Sequence, residues 1–329
     1  MKVVQPFDIT PAKMLETNVP LDDYPEYDNS ATYEAGDRVI VVSTLTVYEC
    51  VAAGTISGVD PTTEAGQNDW LVIGKVNRWK LLDKIVGSAT EGTYPFNIYD
   101  YSVDAIDPQD PNFVEAEVID EGLAYRIRTN VPTNTLAFFN LSGYYLDVKV
   151  VTDSGGLEYW KRIMLRGELS ESNWYSYYYE PTFGQDRVVL TDIPIEANKD
   201  VYFSIVETTE GVDPKIGEML IGQSIYLGRS LYGTSVNFVD FSTKERDEFG
   251  NFEIVERGYA DLLEVDLSIE NNQIFYLRNV IASLRTTPTV WISSECIDGT
   301  SVYGYVSTFD IVITGPQRSD ATLIIQGLI

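Results

Sequence analysis

Apolar and polar residues alternate over short runs along most of this chain. In YLDVKVV, the apolar residues Leu146, Val148 and Val150 alternate with Asp147 and Lys149. A strand with this period of two presents one apolar face and one wet, polar face. Many such runs, rich in aromatic and β-branched residues and separated by Gly, Pro, Asn and Asp, are typical of antiparallel sandwiches or barrels. The pattern predicts a mainly β protein whose sheets pack face to face.

One segment, NNQIFYLRNVIASLRTTP, has a helical period instead. Ile274, Leu277, Ile281 and Leu284 recur at spacings of three and four, and a following proline prevents continuation of the helix. The flanking runs DLLEVDLSI and TVWISSE have the composition of strands. We therefore predict a helix near residues 272–286, between two strands.

The spacing of these elements also suggests how the chain is divided. A length of 329 residues favours two or three compact units. Three prolines interrupt the first 23 residues, so we expect an arm that becomes ordered only on contact with a partner. The predicted regions are an extended arm at 1–23, a small β module at 24–75, a linker at 76–96, a β-sandwich-like domain at 97–210, and a β-rich domain containing the helix at 211–329.

Charge restricts the choice of partners. The chain has 50 acidic and 23 basic residues and a net charge of −27. Such a surface repels phosphate backbones and anionic membranes, so neither nucleic acid nor a membrane is expected as a partner. The acidic surface serves either solubility or docking to a basic neighbouring subunit, and the sequence leaves both interpretations open.

The apolar runs are too short for a signal peptide or a membrane helix. No stretch approaches the roughly 18 consecutive apolar residues of a membrane span, and the N-terminal run ends early at a proline. We therefore expect synthesis in a reducing cytoplasm and no membrane insertion. Cys50 and Cys296 are expected to be free, buried thiols.

The residues that most enzymes use are missing. The chain has no histidine, which excludes Ser-His-Asp and Cys-His nucleophiles and the usual zinc sites. It also has no phosphate-binding glycine motif. Carboxylate pairs, as in glycoside hydrolases, remain conceivable, but 50 acidic residues make any single pair uninformative. We predict a protein that is not an enzyme and that has no cofactor and no metal site.

A turn motif followed by aromatic residues stands out near the N-terminus, in EYDNSATYEAGDRVIVV. Gly36 can adopt the left-handed turn conformation, and Asp37 can fix the turn by accepting hydrogen bonds from backbone amides. Tyr27, Trp70 and Trp79 offer flat apolar faces that could stack on sugars if they are exposed and coplanar. The alternative is that the aromatic residues form the core of a small unit.

This motif resembles the chitin-type carbohydrate-binding modules of families 5 and 12. Tyr27 stands where that family usually has Trp, and the later family positions are filled by Tyr33, Gly36, Asp37, Val39, Tyr48, Pro61 and Trp70. The match covers about 45 of 329 residues; Ser43 replaces the turn glycine, and Tyr48 lies two residues late.

The module followed by NRWKLLDK, together with LEYWKRIML and IVERGYADLLEVDLSI, resembles virion proteins of tailed bacteriophages. In such proteins the module is attached to tail, baseplate or fibre-attachment proteins. The resemblance implies localisation in the virion and a symmetric oligomer whose partners are copies of itself and other virion proteins, held through large surfaces.

Two further segments are candidate contact surfaces. In NWYSYYYEPTF, strand alternation places Trp174 and Tyr178 on one face and Tyr175, Tyr177 and Tyr179 on the other. Such residues favour an interface, although a sugar patch or a core remains open. The segment FSTKERDEFGNFEIVERGY is expected to be a solvated hairpin turning near residues 249–251, or else an intersubunit salt-bridge strip.

The function that the sequence favours is therefore a non-enzymatic structural component of a phage tail or baseplate. The alternative is a protein that binds carbohydrate or recognises a host receptor, and a glycan-active enzyme is the third hypothesis.

Overall fold

The computed structural model describes residues 1–97, 100, 119–165, 184–206, 213–246, 252–295, 297 and 299–328. The chain is mainly β, as predicted, and its sheets include a half-barrel. The sandwich and the helix near the C-terminus are both present.

The largest sheet has eleven antiparallel strands. Their order across the sheet is β14 (Arg187–Leu190), β11 (Thr135–Ser142), β16 (Lys215–Tyr226), β1 (Lys2–Pro6), β22 (Thr289–Ile292), β23 (Ser301–Val312), β24 (Arg318–Gly327), β21 (Tyr259–Glu270) and β17 (Arg229–Ser230); β18 (Ser235–Asp240) also pairs with β21, and β8 (Thr90–Glu91) pairs with β16.

A second sheet of six strands packs against the first half of the large sheet. Its order is β13 (Leu157–Met164), β12 (Tyr145–Thr152), β15 (Lys199–Val206), β10 (Ile119–Thr129) and β2 (Met14–Thr17), and β9 (Tyr94–Asn97) also pairs with β10. The core between the sheets includes Tyr125 stacked on Phe203, with ring centroids 5.2 Å apart, and Phe138 edge-on to Phe203 at 5.1 Å. Two apolar faces thus bury each other, as the alternating pattern predicts.

The outer face of the second sheet differs from the prediction. Leu146, Val148 and Val150 lie in the core as expected, but Asp147 on the opposite face is also buried. Its carboxylate accepts hydrogen bonds from Arg162 Nε at 2.8 Å and Nη2 at 2.7 Å. The guanidinium compensates for the lost water contacts of the carboxylate, so this face is not uniformly wet.

A similar buried network surrounds Asp200 on the same sheet. Arg128 Nε donates to Asp200 Oδ1 at 2.7 Å, and Arg126 Nη2 donates to Oδ2 at 2.8 Å. Burial by itself would raise the pKa of Asp200, but the hydrogen bonds from the two arginines hold that pKa below its ordinary value.

The helix α1 (Ile274–Leu284) covers the second half of the large sheet and follows a short 3-10 turn at Asn271–Gln273. Leu277, Ile281 and Leu284 are buried against β21, β24 and β23. Because α1 lies between β21 and β22 in sequence, the predicted strand-helix-strand order is confirmed.

The opposite face of the large sheet has a separate apolar cluster. Val4, Phe139, Leu220 and Tyr303 belong to it, whereas Val3 belongs to the cluster under α1. Successive strand residues therefore enter different cores, because both faces of this part of the sheet are covered. The guanidinium of Arg187 on β14 contacts the Asp261 carboxylate on β21 at 2.7 Å, so this ion pair links strands far apart in the sheet order.

The N-terminal segment is not a projecting arm in the structure. β1 lies between β16 and β22 in the large sheet, and Val3 and Val4 are completely buried. A 3-10 turn at Pro11–Lys13 then leads to β2 on the second sheet. Prolines interrupt secondary structure here as expected, but the short strands between them find partners more than 100 residues away in sequence.

The predicted boundary between 97–210 and 211–329 also differs from the structure. β11 and β16 lie on either side of it and pair along most of their length in one sheet. The predicted linker at 76–96 is packed as well: its 3-10 segment Asn77–Leu82 buries Trp79 and Leu81. Sequence spacing did not indicate these long-range pairings.

The small module consists of two sheets. β3 (Thr32–Tyr33) pairs with β6 (Ile56–Ser57), and β4 (Arg38–Val41), β5 (Thr46–Cys50) and β7 (Trp70–Lys75) form a three-stranded sheet. A 3-10 turn at Gly66–Asn68 precedes β7. Cys50 is free and buried, as predicted, whereas Cys296 lies outside the described residues.

Candidate interaction surface

β18 and β21 pair within the large sheet, and the strands that follow β18 and precede β21 form a separate two-stranded ribbon. β19 (Thr243–Arg246) pairs with β20 (Phe252–Val255), which precedes β21 in the chain. We call residues 235–246 and 252–259 the arm. The predicted hairpin is confirmed by this pairing, although its tip lies outside the described residues.

Local hydrogen bonds hold the arm together where the two strand pairs meet. Asp240 Oδ1 accepts from the backbone N–H of Ser242 at 2.9 Å, and Oδ2 accepts from Lys244 Nζ at 2.7 Å. The Ser242 hydroxyl in turn accepts from the backbone N–H of Arg257 at 3.0 Å. The Lys244 and Ser242 contacts hold the pKa of the Asp240 carboxyl well below its usual range. This junction therefore keeps its negative charge at neutral pH.

The arm exposes large apolar side chains. Val236, Phe238, Phe252, Ile254 and Tyr259 are each more than half exposed. The rings of Phe238 and Tyr259 form an edge contact with centroids 5.9 Å apart, so they make a continuous apolar patch. Exposed patches of this kind mark interaction sites more often than single apolar residues do.

Two cations lie directly opposite apolar residues of the β19–β20 pair. Arg246 is directly opposite Phe252, and its guanidinium carbon lies 4.4 Å from the ring centroid. Lys244 is directly opposite Ile254. One face of the ribbon therefore combines positive and apolar groups on a chain whose net charge is −27.

A two-stranded ribbon of this type is suited to docking. Isolated hairpins are marginally stable in water because they bury little surface. Fully burying an exposed Phe or Ile side chain contributes about 1.5–3 kcal/mol of favourable free energy. A partner that covers the patch would therefore bind more tightly and would also stabilise the ribbon.

The turn residues of the small module have the predicted geometry. Gly36 has φ of +98°, in the left-handed region that favours glycine. Asp37 Oδ2 accepts a hydrogen bond from the backbone N–H of Glu34 at 2.7 Å, which closes the turn.

The three candidate sugar-stacking residues do not form an exposed platform. Trp70 and Trp79 are buried in two different cores, and Trp70 Nε1 donates to the Val59 carbonyl at 2.9 Å. Tyr27 is partly buried, and its ring is perpendicular to that of Trp70. The prediction of an exposed platform is therefore wrong for these residues. They build the cores instead, because a unit of this size has few other large side chains.

The aromatic segment predicted as an interface, which contains Trp174, Tyr175, Tyr177, Tyr178 and Tyr179, lies outside the described residues. The exposed apolar residues of the arm were not among the residues that the sequence predicted as a site. The signal was present in SVNFVDF and FEIV, where apolar residues alternate beside the charged hairpin, but the density of charge favoured a solvated interpretation.

No protein-family model matches this sequence, and no curated protein matches it. None of the helices in the described ranges combines the length and apolarity needed to cross a membrane. Among the described residues, no group of three or more Cys, Asp or Glu side chains is arranged to hold a metal ion.

Proposed function

We propose that this chain is a non-enzymatic structural component of a phage tail or baseplate, connecting virion parts as a member of a symmetric oligomer. Its partners on this proposal are copies of itself and other virion proteins. The observation that carries the proposal is the arm, because it presents large apolar side chains to solvent on β18 and on a ribbon separate from the large sheet.

The chemistry of the arm supports a protein partner. Its exposed residues include aromatic and aliphatic side chains, the cations Lys244, Arg246 and Arg257, and several acids. Interfaces are enriched in aromatic residues and Arg. The lack of histidine in the whole chain and the resemblance of the small module to modules of virion proteins agree with a role in assembly.

Removal of the apolar patch tests the proposal. We expect the purified chain to form a discrete oligomer in analytical ultracentrifugation. The double variant Phe238→Ser, Phe252→Ser should form smaller species, because it lacks the two rings that a partner would cover. The matched control is Phe275→Ser on α1, which also removes an exposed ring and should leave the oligomer intact. A wild-type chain that stays monomeric, or an arm variant that assembles normally, would overturn the role of the arm.

The virion assignment has its own test. Electron microscopy and peptide mass spectrometry of purified particles from a phage that encodes this chain should place it at the tail or baseplate, in a fixed number of copies. Absence of the chain from complete particles would contradict the assignment, whatever the behaviour of the arm.

A further inference from the structure

The strand β14 lies at one end of the large sheet, beside a groove. Within the described residues β14 pairs with β11 alone. The groove has a volume of about 750 Å³ and is lined by every residue from Gly184 to Asp192, so it follows the whole strand. This volume lies in the range of ligand-binding sites. We call this cavity the β14 groove.

Two walls enclose the open edge of β14. On one side Ile163 of β13 lines the groove and packs against the sandwich core. On the other side the lining includes Val236 of β18 and Ile297, which follows β22. β14 itself has only four residues, and short edge strands resist pairing with a whole sheet. The walls and the short edge therefore admit a single extended chain more readily than the edge of another folded sheet.

Two backbone hydrogen bonds show which groups of β14 point into the groove. The Asp186 carbonyl accepts from the N–H of Leu141 on β11 at 2.9 Å, whereas the Gln185 N–H donates to the Leu165 carbonyl at 2.7 Å. Consecutive residues of this strand thus direct their backbone groups to opposite sides, as in a regular antiparallel ladder.

The same alternation continues along the strand. Val188 and Leu190 direct their N–H and C=O groups to β11, so those of Arg187 and Val189 point away from it. Outside the ladder with β11, none of the backbone hydrogen bonds between described residues engages Arg187 or Val189. The edge therefore offers backbone donors and acceptors at two alternate positions, which is what an added strand requires.

The lining of the β14 groove is acidic. It has two cations but four carboxylates: Lys161, Arg187, Asp186, Asp192, Asp261 and Glu295. Both cations already contact carboxylates. Arg187 Nη1 lies 2.7 Å from Asp261 Oδ2, and Lys161 Nζ lies 3.6 Å from Asp192 Oδ2. The surplus of negative charge favours a ligand with basic side chains.

Glu295 has an oxygen to offer such a ligand. Its Oε1 accepts hydrogen bonds from Lys2 Nζ and from the Thr191 hydroxyl, both at 2.6 Å. The hydrogen bonds of the described residues leave Oε2 without a donor. A lysine or arginine on a bound chain could donate to it, and the methylene groups of that side chain would cover the exposed Ile297.

We propose that the β14 groove binds an extended peptide segment of a partner protein, which adds to β14 as a further strand. Neighbouring residues of a strand point to opposite faces. Residues on one face of the peptide would therefore contact Ile163, and those on the other would approach Glu295. The chemistry of the two walls selects β-branched residues alternating with lysine or arginine. This inference does not depend on assembly through the arm, although Val236 belongs to both surfaces.

Peptide binding to the full chain tests the inference. The probes are fluorescent peptides of about eight residues, in which Lys alternates with Val, Ile, Thr or Tyr, at about 0.15 M salt. Each has a control of equal charge with one central proline, which removes a backbone donor. The uninterrupted peptides should bind about tenfold more tightly or better. Binding of none of them, or equal binding of the proline controls, would overturn the proposal.

Substitutions in β14 provide a matched pair of variants. Val189→Pro removes the N–H that faces the groove and leaves the ladder with β11 intact, so the peptides should bind about tenfold more weakly. Val189→Thr keeps this N–H and a branched side chain, and should bind as the wild type does. Thermal denaturation checks that both variants fold. Equal binding by the two folded variants would contradict strand addition.

Charge is tested separately. Glu295→Gln should weaken binding of the lysine peptides several-fold, whereas Asp310→Asn, at an exposed carboxylate on β23, should not. An equal effect of the two substitutions would mean that the peptides respond only to the net charge of the chain, and would refute binding in the groove.

Amide hydrogen exchange measured by NMR locates the bound peptide even if a variant does not fold. Saturating peptide should slow exchange of the Arg187 and Val189 amides at least about tenfold, because these N–H groups gain acceptors. Val188 and Leu190, already bonded to β11, should change little. Peptide binding without this protection would place the peptide elsewhere. Protection that rises with protein concentration in the absence of peptide would identify a second copy as the occupant, and either result overturns the proposal.

The peptide test can be separated from the arm test. In the Phe238→Ser, Phe252→Ser background the β14 groove is unchanged, so the lysine peptides should bind as they do to the wild type. Normal oligomers that bind none of the peptides would refute the inference about β14 and leave the proposed function standing.

Discussion

Glu218 lies on β16, where it is almost completely buried. One carboxylate oxygen accepts a hydrogen bond from the backbone N–H of Lys84 at 2.8 Å, and the other lies 3.4 Å from the Tyr303 hydroxyl. Burial raises the pKa of Glu218 to about 8, and nearby Asp83 adds to the effect. The side chain is therefore neutral at pH 7 in the folded protein and ionised in the unfolded chain.

This difference predicts how Glu218→Gln changes stability with pH. Below the ordinary pKa of 4.5 both states of the wild type bind the proton, so the variant has no advantage. Between pH 4.5 and 8 only the unfolded wild type loses the proton, which destabilises its fold progressively. At pH 7 the variant should be more stable by about 3 kcal/mol.

Urea unfolding of both proteins at pH 4, 7 and 9 would measure this advantage. It should be near zero at the lowest pH and constant above pH 8. An advantage that did not change between pH 4 and 7 would show that Glu218 does not titrate as described. Asp186→Asn, at an exposed carboxylate beside Arg187, is the control for a change of charge alone.

At the scale of elements, β1 shows how strongly the sheet depends on remote pairing. Its residues pair with β16 on one side and with β22 on the other. Val3 and Val4 contribute to apolar clusters on opposite faces of the sheet. The prolines suggested that this N-terminal segment is extended and unordered, but β1 is part of the interior.

Val3→Asp tests the position of β1. A carboxylate in this buried site has no described partner, so we expect a loss of at least about 4 kcal/mol in the free energy of unfolding. Leu15→Asp is the control, since Leu15 on β2 is 40% exposed. This substitution should change the free energy of unfolding by no more than about 0.5 kcal/mol. Chemical denaturation compares the two variants.

Limited proteolysis of the isolated wild-type chain adds a direct readout of order in this segment. Residues 2–6 should resist cleavage before any assembly, because both edges of β1 are paired. Rapid cleavage there, or equal stability of the two variants, would show that β1 is not held in the sheet.

At the scale of the whole molecule, net charge opposes the association that the exposed surfaces favour. Each copy has a net charge of −27, whereas the three cations of the arm act locally, and Lys244 is already paired with Asp240. Repulsion between copies is long-ranged, and dissolved salt screens it within about 8 Å at physiological ionic strength and about 3 Å at 1 M.

We therefore expect added salt to strengthen self-association. Sedimentation measured from low salt to about 1 M should show a rising fraction of oligomer, because screening reduces the repulsion between acidic surfaces while apolar contacts remain. A parallel series with a non-ionic solute controls for osmolality. Dissociation at high salt would instead mean that ion pairs dominate the contact.

Parts of the candidate site were predictable from local sequence. The hairpin that carries the arm follows from two β-prone runs around a polar turn, and the turn at Gly36 follows from glycine chemistry. The exposure of Phe238 and Phe252 was not predictable, because an alternating apolar residue looks the same whether it faces a core or solvent. Burial of Trp79 was hidden for the same reason.

The sequence by itself determined the mainly β class, the helix α1 and the strands of the sandwich that turn one apolar face to the core, because hydrophobic periodicity is a property of neighbouring residues. Only the tertiary structure decided that β1 lies between β16 and β22, that β11 and β16 join two predicted domains, and that β14 lies at an edge of the large sheet. Those outcomes depend on pairings between residues up to almost 300 positions apart, and the backbone groups that make them are the same in every residue except proline.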